Sequence, residues 1–327
     1  MRPGMLAVLG VACLAGAAGL ARGLEASRPQ APGEGVPGEV AGTLLLGGFR
    51  GLACDLLWMR AMHARDTRRT YESVALAGAI TRIQPRFVRA WEHLAWDQAF
   101  NLAADEDDPK AKLGWMEAGV RANAEGCIRN PGEERLIRHL AWMFFNRISY
   151  IPGAEERAWA PLVRPVVEAA AAPLAVRAPP ADDESPYRLA ARLYRVAVAV
   201  GDARGRPSPD FVLRLIPASL EREGDRLRNR LRAHEALLAW CDALDAWVPV
   251  RERAARSDGE AGWLDRDSLE RNEGRLRRKA AALVRELDPT SPAAAALAAG
   301  DTVAARALIP ALPTRAPAAV VRWLDEP

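Results

Sequence analysis

The sequence predicts an all-α protein built from helix hairpins that follow an N-terminal apolar segment. Three observations lead to this fold class. Apolar residues recur at helical spacing between the proline-rich joints, no segment alternates apolar and polar residues as a half-buried strand would, and one short motif returns at a fixed distance. The chain has 327 residues, 50% of them hydrophobic and 27% charged, which is enough for a substantial core.

The first predicted element is the uncharged run at residues 3–21. As a helix, its 19 residues would span about 28 Å, close to the hydrocarbon thickness of a bilayer. Residues 1–24 are predicted to be either a signal anchor, which the length of the run favours, or a cleaved signal peptide with small residues at its end. We therefore expect a single-pass protein of the bacterial inner membrane, with a periplasmic or otherwise extracytoplasmic body. The flanking charges do not fix the orientation.

Proline- and glycine-rich segments divide the rest of the chain. Residues 25–43 carry almost no large apolar side chain and are predicted to be a flexible tether. A break at residues 173–186 separates a first helical region, residues 44–172, from residues 187–327. We interpret this last part as a degenerate helical repeat or a helical C-terminal region.

The motif HLAW occurs at residues 93–96 and again at residues 139–142. Each copy begins eight residues after a proline, Pro85 or Pro131, so the repeat has a period of 46 residues. In each copy the leucine, the alanine and an apolar residue three positions before the leucine share one helical face. This face is predicted to pack, with the tryptophan on its flank.

These units resemble the tetratricopeptide repeat. In that family a proline closes one helix pair, the next helix carries a large residue, a leucine and a small residue, and a second helix contributes small residues to the contact. The matching positions are Pro85, Trp91, Leu94, Ala95, Pro131, Ile137, Leu140 and Ala141, with small residues at Ser73, Ala77, Gly119 and Gly126.

The resemblance covers residues 55–150 and implies a right-handed α-solenoid of TPR-like helix hairpins. The period is longer than the family unit, and the extra residues fall between the paired helices of the first copy. There, Asp108 and Pro109 are predicted to begin the second helix. Residues near Asp288 resemble a degenerate last unit.

The resemblance also implies a binding surface, because the first helix of each unit in that family lines a concave groove. Carried over by spacing from the two prolines, the predicted groove residues are Arg89, Glu92, Trp96, Phe100, Arg135, Arg138, Trp142 and Asn146. Arginine and tryptophan at such positions suit an extended peptide, its terminal carboxylate or a saccharide. The alternative is that Trp96 and Trp142 are buried between repeats.

The sequence offers no catalytic or metal-binding motif and predicts no cofactor. It lacks the G-x-S-x-G, Walker, Rossmann and H-E-x-x-H signatures. The four cysteines are scattered and are interpreted mainly as small buried residues. His93 and His139 are predicted to be period-related helix residues rather than ligands of a shared metal.

Charge and patterning then limit the function. The net charge of +3 is small and no basic block is long, so nucleic acid is not a predicted partner. The leading hypothesis is a non-catalytic, membrane-tethered scaffold or adaptor that binds a protein partner in the cell envelope. The alternative is an accessory enzyme or glycan-binding protein of envelope polysaccharide metabolism, with its site in residues 187–327.

Overall fold

The predicted all-α class is confirmed. A computed structural model describes residues 50–151, 153–154, 157–171, 180–256 and 266–314, and within these ranges the chain forms 12 α-helices and no strand. The chain divides into two compact units, Met1–Asn130 and Pro131–Pro327. The division falls between the two copies of the repeated motif.

The first unit contains four described helices. They are α1 (Arg50–Asp66), α2 (Thr70–Ile83), α3 (Val88–Trp96) and α4 (Pro109–Arg129). The chain continues beyond α3 through a π-helical turn, Asp97–Leu102, and one further α-helical turn, Ala103–Asp105. Each helix packs against the next one along the chain.

The second unit contains the other eight helices. They are α5 (Glu134–Asn146), α6 (Ala160–Ala171), α7 (Pro186–Ala203), α8 (Asp210–Asn229), α9 (Ala233–Arg256), α10 (Arg266–Leu287), α11 (Ala293–Ala299) and α12 (Thr302–Leu308). Short 3-10 turns follow α5 and α12. Helix α7 packs on α5, α6 and α8, and from α7 onward each helix contacts its successor.

Local sequence signals explain where several helices begin. As predicted, Asp108 caps α4, and its carboxylate accepts hydrogen bonds from the backbone N–H groups of Lys110 at 3.3 Å and Ala111 at 3.1 Å. Pro109 follows at the first helical position, where a missing N–H costs nothing. Ser185 and Pro186 begin α7 in the same way.

Two glycines allow α3 and α4 to approach closely, as their predicted small positions require. A Cβ atom at Gly119 would lie 2.7 Å from the carbonyl oxygen of Ala95, and one at Gly126 would lie 2.8 Å from the Trp91 ring. Both distances are below contact range, so any larger residue would push the helices apart. The face of α3 that carries Trp91, Leu94 and Ala95 is therefore buried.

None of the described helices is long and apolar enough to cross a membrane. The predicted anchor at residues 3–21 and the predicted tether at residues 25–43 lie outside the described residues.

Candidate functional site

The predicted groove residues of the first copy lie on α3 and its π-helical turn. Arg89 is exposed, and its guanidinium lies 3.7 Å from the carboxylate of Glu92. Trp96 and Phe100 are half-buried and stack with ring centroids 4.4 Å apart and an angle of 15° between their planes. The first copy thus presents an ion pair and a stacked aromatic pair.

The predicted groove residues of the second copy lie on α5. Arg135, Arg138, Trp142 and Asn146 are all half-buried. The Trp142 ring lies nearly parallel to the ring of His139, with centroids 6.5 Å apart. Trp96 and Trp142 are therefore neither fully exposed nor enclosed within their own units.

The predicted packing residues behave alike in both copies. Leu94 and Ala95 are buried in α3, and Leu140 and Ala141 are buried in α5. The large residue three positions before each leucine, Trp91 or Ile137, is buried as well. The prediction of one buried face per copy is confirmed.

A buried polar network joins α2 to α3. The Ser73 hydroxyl oxygen lies 2.6 Å from Asp97 Oδ2 and 2.8 Å from His93 Nε2, and this nitrogen lies 3.2 Å from Asp97 Oδ2. Asn101 donates to Asp97 Oδ1 at 2.7 Å. The Asp97 side chain is fully buried, and it starts the π-helical turn. Such turns frequently mark functional positions.

The distances in this network argue against a nucleophilic serine. Two oxygens at 2.6 Å need a proton between them, so the Ser73 hydroxyl donates to the Asp97 carboxylate. His93 then carries its proton on Nε2 and donates to the Ser73 oxygen. In a catalytic triad the histidine would instead accept the serine proton. The network therefore links α2 to α3 without activating the hydroxyl.

Burial sets the charge state of His93. The pKa of His93 falls below its ordinary value of 6.5 because burial disfavours the imidazolium. The Asp97 carboxylate raises the pKa and Arg65 lowers it, but burial is the largest effect. His93 is thus neutral near pH 7, which agrees with its role as a donor through Nε2.

An open cleft of about 330 Å³ lies beside this network in the first unit. Its walls are formed by Arg65, Arg68, Thr70, Asp97, Asn101, Ala104 and Asp105. Two arginines and two aspartates line the cleft, so its formal charge is balanced. Nothing in this lining selects one class of ligand.

The cysteines of the described part behave as the sequence predicts. Cys54, Cys127 and Cys241 are free and buried. Burial raises the pKa of Cys241 to about 11, so its thiol stays protonated and is a poor nucleophile. Among the described residues, no three His, Cys, Asp or Glu side chains come together as a metal site would require.

Sequence reasoning missed the network of Ser73, His93 and Asp97. One signal was present, since His93 and Asp97 are four residues apart and therefore neighbours on a helix. Ser73 gave no such signal. It occupies a small position in the repeat, and its hydroxyl meets His93 only after α2 and α3 pack.

Comparison of the chain with known protein families, with curated proteins and with solved structures finds no match.

Proposed function

We propose that this protein is a non-catalytic helical-repeat scaffold or adaptor that binds a protein partner in the bacterial cell envelope. The apolar run at residues 3–21 would tether it to the inner membrane as a single-pass protein with an extracytoplasmic body. The right-handed solenoid implied by the tetratricopeptide resemblance belongs to the same proposal.

The observation that carries the proposal is the difference in burial between the residues of each motif copy. In α3 and in α5, the leucine and the alanine of HLAW are buried in the unit, whereas the tryptophan remains half-buried. Side chains committed to the core are thereby separated from side chains that can meet a partner. Half-buried tryptophan and arginine are the residue types that most often dominate binding energy at interfaces.

We assign no reaction to this protein, for two reasons. The sequence lacks catalytic signatures, and in the most triad-like group, Ser73 with His93 and Asp97, the serine hydroxyl donates its hydrogen bond to the carboxylate instead of the histidine. Partner binding needs no catalytic residues, and the half-buried arginines and tryptophans already described are sufficient for it.

Affinity capture from membranes tests the proposal. The full-length chain serves as bait, and the test variant replaces Arg89, Arg135 and Arg138 with glutamate. Arg89 is exposed, and Arg135 and Arg138 are half-buried without lying in the core. An exposed ion pair contributes only about 0 to 1 kcal/mol to stability, whereas reversed charges at an interface oppose a complementary partner strongly. We expect the variant to keep its helical circular dichroism and to lose the proteins that the wild type captures.

A matched control replaces the exposed Arg121 of α4 and two other arginines outside the predicted groove, Arg164 and Arg232, with glutamate. This control changes the net charge by the same amount and should retain capture. If the folded triple variant captured the same proteins as the wild type, the predicted groove residues would not be part of the interface. Absence of any specific partner for the wild type would contradict the scaffold proposal itself.

A further inference from the structure

Five side chains meet where α5, α7 and α8 of the second unit come together. A sixth, Arg138 of α5, is close enough to Tyr194 for its charge to lower the pKa of that tyrosine. We name this cluster the arginine–tyrosine niche. Its members are Arg138, Phe145, Tyr150, Tyr187, Tyr194 and Arg222. Helix α7 contacts both α5 and α8, and Tyr150 belongs to the 3-10 turn that follows α5.

The Phe145 ring organises the niche. The guanidinium carbon of Arg222 lies 4.1 Å from the centroid of this ring, and the same guanidinium donates a hydrogen bond to the Tyr150 hydroxyl. Tyr187 and Tyr194 meet the Phe145 ring edge-on, with centroids 6.3 Å and 6.5 Å away. Stacking on an aromatic ring fixes the guanidinium plane while leaving donors free.

The two arginines of the niche differ from most arginines around them. Glu221 pairs with Arg275, Glu223 with Arg226 and Glu273 with Arg251. Within the described part of the chain, no carboxylate forms a salt bridge with Arg138 or Arg222, and both arginines are half-buried. Two partly desolvated positive charges without a counterion are unfavourable, and a bound anion would relieve this.

A buried hydroxyl points to the same conclusion. Tyr194 is fully buried, and its hydroxyl is one of the described polar groups that find no hydrogen-bond partner. Burial raises the pKa of Tyr194, while the positive charges of Arg138 and Arg222 lower it. The hydroxyl therefore stays protonated at neutral pH, lies within electrostatic range of both guanidinium groups, and has a proton to donate.

We infer that the arginine–tyrosine niche binds a carboxylate of an acidic segment on the protein partner. Arg138 and Arg222 would supply charge-assisted hydrogen bonds, and the Tyr194 hydroxyl would supply a neutral one. The flanking aromatic rings suit the hydrocarbon part of an acidic side chain. This inference rests on the proposed scaffold function and specifies the chemistry that one part of the partner must carry.

The test measures peptide binding by the full-length chain in a neutral detergent. Fluorescence anisotropy follows three labelled probes: hexaglutamate with blocked termini, hexaglutamine with blocked termini, and hexaalanine with a free C-terminal carboxylate. We expect hexaglutamate to bind and hexaglutamine not to bind. Binding of the hexaalanine probe with its free carboxylate would assign the site to a chain terminus instead of a side chain.

Three variants locate the binding. A hydrogen bond to a charged group corresponds to roughly a tenfold change in affinity or more. We therefore expect Arg138→Gln, Arg222→Gln and Tyr194→Phe each to weaken hexaglutamate binding about tenfold. The control is Arg232→Gln, which removes the same charge from an arginine that pairs with Glu235 on the surface. Its affinity should match that of the wild type.

The Tyr194→Phe variant separates binding from structure. Removing a buried hydroxyl that has no partner should leave the thermal midpoint unchanged or raise it, while the affinity falls. Unchanged affinity in this variant and in Arg222→Gln would overturn the inference, as would equal weakening by Arg232→Gln. Competition by millimolar inorganic phosphate as effective as by hexaglutamate would also overturn it, because the niche would then be a general anion site.

The two proposals fail separately. A folded double variant, Arg138→Gln with Arg222→Gln, serves as bait in the same capture experiment. If it captures the partner specifically, the scaffold proposal holds and the niche does not bind the partner. Loss of hexaglutamate binding in the niche variants, combined with no captured partner for the wild type, would leave an acidic-ligand site and remove the scaffold proposal.

Discussion

His93 of α3 is buried between Ser73 and Asp97, whereas the equivalent His139 of α5 is half-buried and stacks on Trp142. The two histidines stand at the same place in the same four-residue motif. Their neighbours one helical turn later differ, because Asp97 occupies the position that Met143 occupies 46 residues further on. Both of these neighbours are buried.

This difference shows which property the repeat specifies. The leucine and alanine of the motif are buried in both copies, so the repeated letters encode a packing face. The polar character of the surroundings comes from residues outside the motif. The carboxylate at position 97 contacts Ser73, His93 and Asn101. The thioether at position 143 is instead part of the apolar core.

The largest loss of stability is expected when Met143 of the second unit is replaced by aspartate, the residue at the equivalent position 97 of the first unit. Met143 is fully buried, so Met143→Asp places a carboxylate in the core. The partners that surround Asp97 in the first unit belong to that unit's own network. We expect a loss of about 3 to 5 kcal/mol in the free energy of unfolding, as for an uncompensated buried charge. Urea denaturation measures this loss, and Met143→Leu, a volume-conserving control, should cost less than about 1.5 kcal/mol. A stable Met143→Asp protein would contradict the buried placement of this position.

The reciprocal exchange, Asp97→Met, should cost less. It removes the acceptor for the buried Ser73 hydroxyl and the half-buried Asn101 amide, and an unsatisfied buried donor costs roughly 1 to 3 kcal/mol. Urea denaturation should therefore show a loss of about 3 kcal/mol. Asp105→Asn, at an exposed residue of the neighbouring cleft, is the control and should have little effect. If Asp97→Met raised the stability, the network would not stabilise the α2–α3 contact.

Ala95→Leu and Ala141→Leu test the packing face that the copies share. Both alanines are fully buried, and the backbone of Ala95 lies against Gly119 of α4. Overpacking should lower the free energy of unfolding by about 1 to 3 kcal/mol in each variant. Thermal melting followed by circular dichroism measures the change. An unchanged midpoint in both variants would mean that the assigned helical register is wrong.

Much of this packing could be predicted from the sequence because it depends on local spacing. The burial of Leu94 and Ala95, the Asp108 cap and the small residues Gly119 and Gly126 all follow from helical periodicity or capping chemistry. Contacts between distant positions could not be predicted in this way. Ser73 and Asp97 are 24 residues apart, and Tyr150 and Arg222 are 72 residues apart.

The predicted binding residues illustrate the same limit. Spacing placed Trp96 and Arg138 among the groove residues, and both are half-buried. The partner of each of these residues depends on helices elsewhere in its unit. Arg138 is close enough to Tyr194 of α7 for its charge to lower the pKa of that tyrosine. The sequence pattern of residues 131–146 does not predict this neighbour.

The smallest expected effect concerns pH. Because folding lowers the pKa of His93 from its ordinary value of 6.5, the unfolded chain binds a proton more readily than the folded chain. The contribution of His93 to stability is therefore fully present above pH 6.5 and is lost as the pH falls below this value. Urea midpoints measured between pH 7.5 and pH 5 should show a shallower decline for His93→Gln than for the wild type. An equally steep decline in His93→Gln would contradict the lowered pKa of His93.

The central claim is that the repeat helices bind the partner. The most direct measurement is hydrogen–deuterium exchange of the full-length chain, alone and with the partner that the wild type captures. We expect slower exchange in peptides covering Val88–Trp96 and Glu134–Asn146 when the partner is bound. Slower exchange confined to residues 233–314, with both repeat helices unchanged, would contradict this claim.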